Sequence, residues 1–158
     1  MFRRRLMGLA FGLGVAAAAG GPAFAQSCGD DMTSMSQQRQ QAMATINAMV
    51  GATSALLAEA LNLARRGGLD VQTVMDVVAE SAVASPLLQY KRAAVTTGDY
   101  TAAFSVSQML KDFDLIVEAA QATSCEMPLA AGIRETYRAA VARGLGDRDF
   151  FVLTAENA

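Results

Sequence analysis

"QAMATINAMVGATSALLAEALNLARRGGLD", residues 41–70, is the stretch that decides the fold. Before the closing Asp70 it carries charge only at Glu59, Arg65 and Arg66. Met43, Ile46, Val50, Thr53, Leu57, Ala60 and Ala64 recur at steps of three and four, the seam of a packed helix. Beside them runs a stripe of small residues, Ala44, Asn47, Gly51, Ala55 and Ala58, which lets a second helix approach closely. Ser34 or Ser36 can cap the start. Gly67 and Gly68 stop the helix, because glycine enters the left-handed conformation at a helix end at little cost. Arg65 and Arg66 fall in the last turn, where positive charge complements the helix dipole.

Further helices follow. Asp70 caps a second over "LDVQTVMDVVAESA", with Val71, Val74, Val77 and Val78 as its inward stripe. Ser85 caps a third, with Pro86 at its first position. The fourth, "SVSQMLKDFDLIVEAAQAT", sets Val106, Met109, Leu110, Phe113, Ile116, Val117 and Ala120 on one face and Lys111, Asp114 and Glu118 on the other. A fifth runs from Pro128 to about Gly144, with Ile133, Tyr137, Ala140 and Val141 inside, and a short last helix starts near Asp149. No stretch alternates like a strand, and no glycine-rich phosphate loop follows one. The expected fold is an all-α domain of about six helices.

The first 25 residues read differently. Arg3, Arg4 and Arg5 precede an apolar run from Leu6 to Ala19, then Gly20-Gly21-Pro22 and the small-residue pattern Ala23-Phe24-Ala25. That is the layout of a secretory signal peptide cleaved after Ala25. The alternative, a short membrane anchor, has a core well short of the roughly 20 apolar residues of a spanning helix. No second stretch reads as long and uncharged enough to span. Residues 26–35 read as a disordered lead-in, and residues 36–158 as the domain. Cleavage would leave 10 of the 13 basic residues against 15 acidic, moving the formal charge from −2 to −5. A mildly acidic chain argues against nucleic acid as partner. The expected location is the periplasm or outside the cell.

Export permits a disulfide between Cys28 and Cys125. It would close a long loop, worth about 4–5 kcal/mol by chain entropy; the alternative is two free thiols. The chain has no histidine, which removes the commonest general base and metal ligand. Two cysteines are too few for an ordinary zinc site, and no metal is expected. Asp147 and Asp149 read as the end of the fifth helix and the cap of the last, rather than as an acid–base pair.

Four phrases in order carry a family likeness: "NAMVGATSALLAEALNLARRGGLD", the Lys111-Asp112 pair in "SVSQMLKDFDLIVEAA", "MPLAAGIRETYRAAVARGLGDRDF", and the ending Gly144 to Phe150. Over roughly residues 38–153 the chain resembles the C-terminal helical domain of the β-hydroxyacid dehydrogenases, typified by 3-hydroxyisobutyrate dehydrogenase. The resemblance implies a 6-phosphogluconate-dehydrogenase-like helical bundle with a long first helix. In that family a Rossmann domain binds NAD or NADP, while the helical domain supplies half the cleft and most of the subunit contact. The family's phrase G-x-G-x-x-x-K-x-x-x-N falls on residues 37–47. Its asparagine, a substrate contact, matches Asn47; its proton-handling lysine position holds Met43, and its glycines are Gln37 and Arg39.

Met43 is then expected as core packing. Asn47 is a substrate contact or a polar residue satisfied at a helix interface. Lys111 and Asp112 match the family's cofactor side, or Lys111 lies on the polar face paired with Asp114. The leader ahead of this match does not read as a Rossmann unit. The expectation is an exported stand-alone domain that is inactive alone. It binds a small organic acid or assembles as a homodimer or with a separate partner protein. No cofactor is expected for the isolated chain, although the resemblance makes NAD or NADP possible. The rival expectation is an oxidoreductase component acting on a small hydroxy acid, completed by a separate Rossmann chain.

Overall fold

The computed structural model describes the backbone of residues 22–156 and the side chains of residues 34–156 except Gln37. Residues 1–37 and 38–158 form separate units; apart from the start of α1, all that follows concerns the second. Most of the expected signal peptide lies outside the described residues, and so does the side chain of Cys28. The elements are α1 (Pro22–Arg66), α2 (Val71–Glu80), α3 (Pro86–Thr97), α4 (Val106–Ala122), α5 (Pro128–Ala142) and a terminal 3-10 helix (Phe150–Thr154). Among the described residues the only strand-like pairing is one antiparallel bridge between Ser105 and Asp149. The fold is the all-α bundle with a long first helix.

The helix ends are set locally. Asp70 accepts from the Thr73 amide, Ser85 from that of Leu88, and Ser105 from that of Gln108. Gln108 completes a capping box, its Oε1 accepting from the Ser105 amide at 2.8 Å. Ser105→Ala should therefore lower unfolding stability by about 1 kcal/mol. A denaturant midpoint indistinguishable from wild type would contradict this. At the end of α1, Gly68 takes φ +82°, which allows the Leu69 amide to bond Ala64 O at 3.0 Å.

The start of α1 differs from the sequence reading. Residues 26–35 are helical rather than a disordered lead-in, so the helix extends back beyond Ser34 and Ser36.

The inward side of α1 differs too. Met43 is 60% exposed and Ile46 is also exposed, so the expected seam does not face the core in its first half. The small stripe does: Gly51, Ala55 and Ala58 are buried and Ala44 and Asn47 half-buried, with Ser54, Leu61 and the seam residue Leu57 buried beside them. The reason is steric. Phe113 and Met109 of α4 press on Gly51 so closely that a Cβ there would lie 2.4 Å from Phe113 Cε2. Only a face of small residues admits that ring. α2 shows a smaller error of the same kind: Val77 is exposed, and Met75, one turn past Val71, is buried in its place. α4 buries the face read from its sequence, with Val106, Met109, Phe113, Ile116, Val117 and Ala120 in the core and Leu110 half-buried.

The core closes around α4, α5 and the 3-10 helix. The rings of Phe113 and Tyr137 stack with centroids 5.6 Å apart. The Tyr137 hydroxyl donates to Gly51 O at 3.0 Å, and Ser54 Oγ donates to Phe150 O at 2.9 Å, tying α1 to α5 and to the terminal segment. Burial pushes the Tyr137 phenol well above its ordinary range, and the negative charge of Asp149 adds to this.

Residues 34–66 of α1 are long and apolar enough to cross a membrane by length and composition alone, contrary to the sequence reading. One third of the most apolar window is buried in the domain. Much of the remaining apolarity lies on the outer face, where Ile46, Met49, Leu56 and Leu63 are all exposed.

Candidate functional site: the Asn47 pocket

Asn47 sits on the buried side of α1, one turn before Gly51. Because Gly51 draws α4 in, the residue next to Phe113 is brought level with Asn47. Asn47 Nδ2 donates to Asp112 Oδ2 at 2.7 Å, both side chains half-buried. Two residues read separately from the sequence, one for substrate and one for cofactor, are thus a hydrogen-bonded pair. The carboxylate fixes which way the carboxamide points, leaving Asn47 Oδ1 and a second N–H for another partner. Lys111 is exposed and makes no hydrogen bond or ion pair with a described residue. Its expected partner, Asp114, faces Arg138 at 3.2 Å and Arg134 at 3.9 Å across the α4–α5 contact.

Asn47 lines a pocket of about 220 Å³ together with Leu87, Tyr90, Lys91, Phe104 and Phe150. Lys91 is a site residue that the sequence reading missed. It is only 6% exposed, and its Nζ lies 2.6 Å from Asp149 Oδ2. The ammonium also stands 5.0 Å from the centre of the Phe150 ring and 5.1 Å from that of Tyr90, within the reach of cation–π attraction. Asp149 caps the 3-10 helix as expected, accepting from the Phe151 amide, and its other oxygen accepts from the Ala103 amide at 3.3 Å. A signal for Lys91 was present: Leu88, Lys91 and Val95 share the inward stripe of α3. A charged residue on an apolar stripe implies a buried counter-charge. Asp147 is exposed and takes no part.

Lys91 is already matched by Asp149, and Asn47 by Asp112. Met43, where the sequence likeness would place the family's lysine, offers a thioether that neither donates a proton nor carries charge. A nicotinamide cofactor fits only in part. Lys111 is not among the residues that line the pocket, and the pocket is smaller than the roughly 300–1,000 Å³ of sites that enclose a whole drug-sized ligand. One ring, not a dinucleotide, matches that space. Cys125 is a free, exposed thiol, and its proposed partner Cys28 lies outside the described side chains.

Comparison with known proteins agrees with this architecture. The family model described as the NAD-binding domain of NADP-dependent 3-hydroxyisobutyrate dehydrogenase matches residues 38–155. Glyoxylate/succinic semialdehyde reductase 2 of Arabidopsis thaliana is 31% identical over 105 residues, which are 66% of this chain and 29% of the reductase. Among solved structures, 3-hydroxyisobutyrate dehydrogenase from Salmonella typhimurium superposes with a TM-score of 0.68 at 28% identity, covering 72% of this chain and 40% of that one. The Mycobacterium tuberculosis 3-hydroxyisobutyrate dehydrogenase, solved with L-serine, gives 0.64 at 25% identity, covering 72% and 41%. The chain thus spans under half the length of these relatives. It belongs to the family of the helical NAD-binding domain of 3-hydroxyisobutyrate dehydrogenase.

Proposed function

We propose that this domain is a non-catalytic assembly and small-ligand module of an exported protein. Two copies join through the outer face of α1, and the Asn47 pocket receives a small organic acid. The observation that carries this reading is the outer face itself. Ile46, Met49, Thr53, Leu56, Ala60 and Leu63 recur at steps of three and four on the side of α1 turned away from the core. Four of them are large and exposed. Over residues 42–58 the helix carries no charge at all. Such a ridge is self-complementary in a two-fold dimer, and exposed apolar surface of this kind marks an interface. Met43 supports the absence of catalysis, because a proton carrier is needed where it stands. The leader pattern supports export.

Sedimentation of the purified chain should show a dimer, and Leu56→Glu should shift it to monomer while the helical circular dichroism signal is kept. A monomeric wild type at every concentration tested would remove this reading. Calorimetric titration with small hydroxy acids addresses the pocket: binding lost in Asn47→Ala supports it, and no heat leaves assembly alone.

A second reading has its own observation. The Asn47–Asp112 hydrogen bond joins two of the residues that the family likeness assigns to the cleft, with the exposed Lys111 next to Asp112 in sequence. An NAD(P)-dependent oxidoreductase component, completed by a separate Rossmann chain, would use them. Titration with NADH and NADPH in the presence of such a chain separates the two readings.

A further inference from the structure

A second pocket, of about 470 Å³, lies at the last turn of α1 and shares no lining residue with the Asn47 pocket. Its walls include Arg65 and Arg148, with Thr97, Tyr100, Val152 and Glu156 around them. Both guanidinium groups donate to main-chain carbonyls of two buried residues, Thr154 and Tyr100. Arg65 Nη2 donates to Thr154 O at 2.7 Å, and Nη1 to Asn62 Oδ1 at 3.2 Å. Arg148 Nε donates to Tyr100 O at 3.3 Å. The Tyr100 hydroxyl and Thr154 Oγ1 lie 2.9 Å apart, and both residues are buried. The result is a continuous chain of contacts, Arg65 to Thr154 to Tyr100 to Arg148, around one cavity.

Every acceptor in that chain is neutral. The guanidiniums are therefore held in place without being neutralised. Neither has a carboxylate within 4.0 Å among the described residues, in contrast to Lys91, Arg92, Arg134 and Arg138. Glu156 stands on the lining, and Asp99 is near enough to Arg148 to feel its charge, but neither closes an ion pair with it. Each arginine has five N–H donors. Arg65 commits two of them and Arg148 one to described acceptors.

We propose that this pocket binds a small multivalent oxyanion, a dicarboxylate or a phosphate, between Arg65 and Arg148. The planar guanidinium fork matches the paired oxygens of either group, and the cavity volume suits a small organic molecule. The site shares no lining residue with the Asn47 pocket.

Calorimetric titration of the full chain, with succinate and separately with inorganic phosphate, tests it. The expected result is a saturable component that weakens at least about tenfold in Arg148→Gln and weakens further as chloride is raised. Tighter binding of succinate assigns a carboxylate ligand, and tighter binding of phosphate a phosphorylated one. Thr97→Asp provides a second variant, since it adds a negative charge to the lining while leaving both arginines in place; it should weaken binding to a similar degree. Asn47→Ala should leave the affinity unchanged. No saturable heat with either probe would overturn the proposal. So would an affinity indifferent to both Arg148→Gln and Thr97→Asp, or one abolished by Asn47→Ala, which would assign the ligand to the other pocket.

Discussion

Replacing Lys91 by methionine should destabilise the domain by about 3–5 kcal/mol, the usual cost of leaving one partner of a buried ion pair without the other. Methionine has nearly the right length and fills the same slot, so lost packing contributes little. What remains is Asp149, 1% exposed, with its carboxylate still accepting from the Phe151 and Ala103 amides. Those amides keep the carboxylate aimed at the place the ammonium has left. The damage should spread, because Asp149 caps the 3-10 helix whose residues Phe150 to Thr154 are all buried. Chemical denaturation of the single variant measures the loss directly. The double variant Lys91→Met with Asp149→Asn should recover part of it, since asparagine can keep one of the two amide contacts without the orphan charge. A single variant within about 1 kcal/mol of wild type would show that the pair contributes little beyond what it costs to desolvate.

Gly51→Ala should lower stability by about 1–3 kcal/mol, although alanine is intrinsically the better helix residue by up to about 1 kcal/mol. The added methyl would lie 2.4 Å from Phe113 Cε2 and 2.9 Å from Met109 Sδ. Phe113 cannot yield easily, because it is fully buried and stacked on Tyr137. Tyr137 is held in turn by its hydrogen bond to the carbonyl of Gly51 itself. Pushing α4 outward would also stretch the Asn47–Asp112 bond one turn away. The side-chain amide resonances of Asn47 should therefore move along with the denaturation midpoint. Gly132→Ala is the matching control: it sits inside α5 with no atom within 4 Å of the new Cβ. It should stabilise by about 0.5–1 kcal/mol. If both substitutions shift stability the same way, the close approach at Gly51 is not what sets the α1–α4 contact.

These two positions also mark what could be read in the chain before its fold was known. Chain-local chemistry was legible throughout. Asp70, Ser85, Ser105 and Asp149 cap their helices by side-chain bonds that reach no more than three residues along the chain. Gly68 ends α1, and Pro86 and Pro128 open α3 and α5. The face of α4 was legible as well, because one side is apolar and the other charged, so only one orientation buries it well. Likewise, Asn47 and Lys111-Asp112 could be singled out, but their hydrogen bond joins residues 65 apart in sequence.

α1 gave no such contrast. It is apolar almost all round, so its periodicity fits more than one face, and the seam through Met43 and Ile46 was as good a pattern as the small stripe that is buried. Only the arrival of Phe113 decides between them, since a large ring packs against glycine and not against isoleucine. Lys91 and Asp149 likewise become partners only when α3 meets the terminal segment. The sequence by itself determined where each helix begins and ends, apart from the start of α1, because those signals are short-range hydrogen bonds and backbone preferences. The tertiary structure alone decided which side of α1 faces inward and which charges are paired, because both depend on residues far apart in the chain meeting at close range.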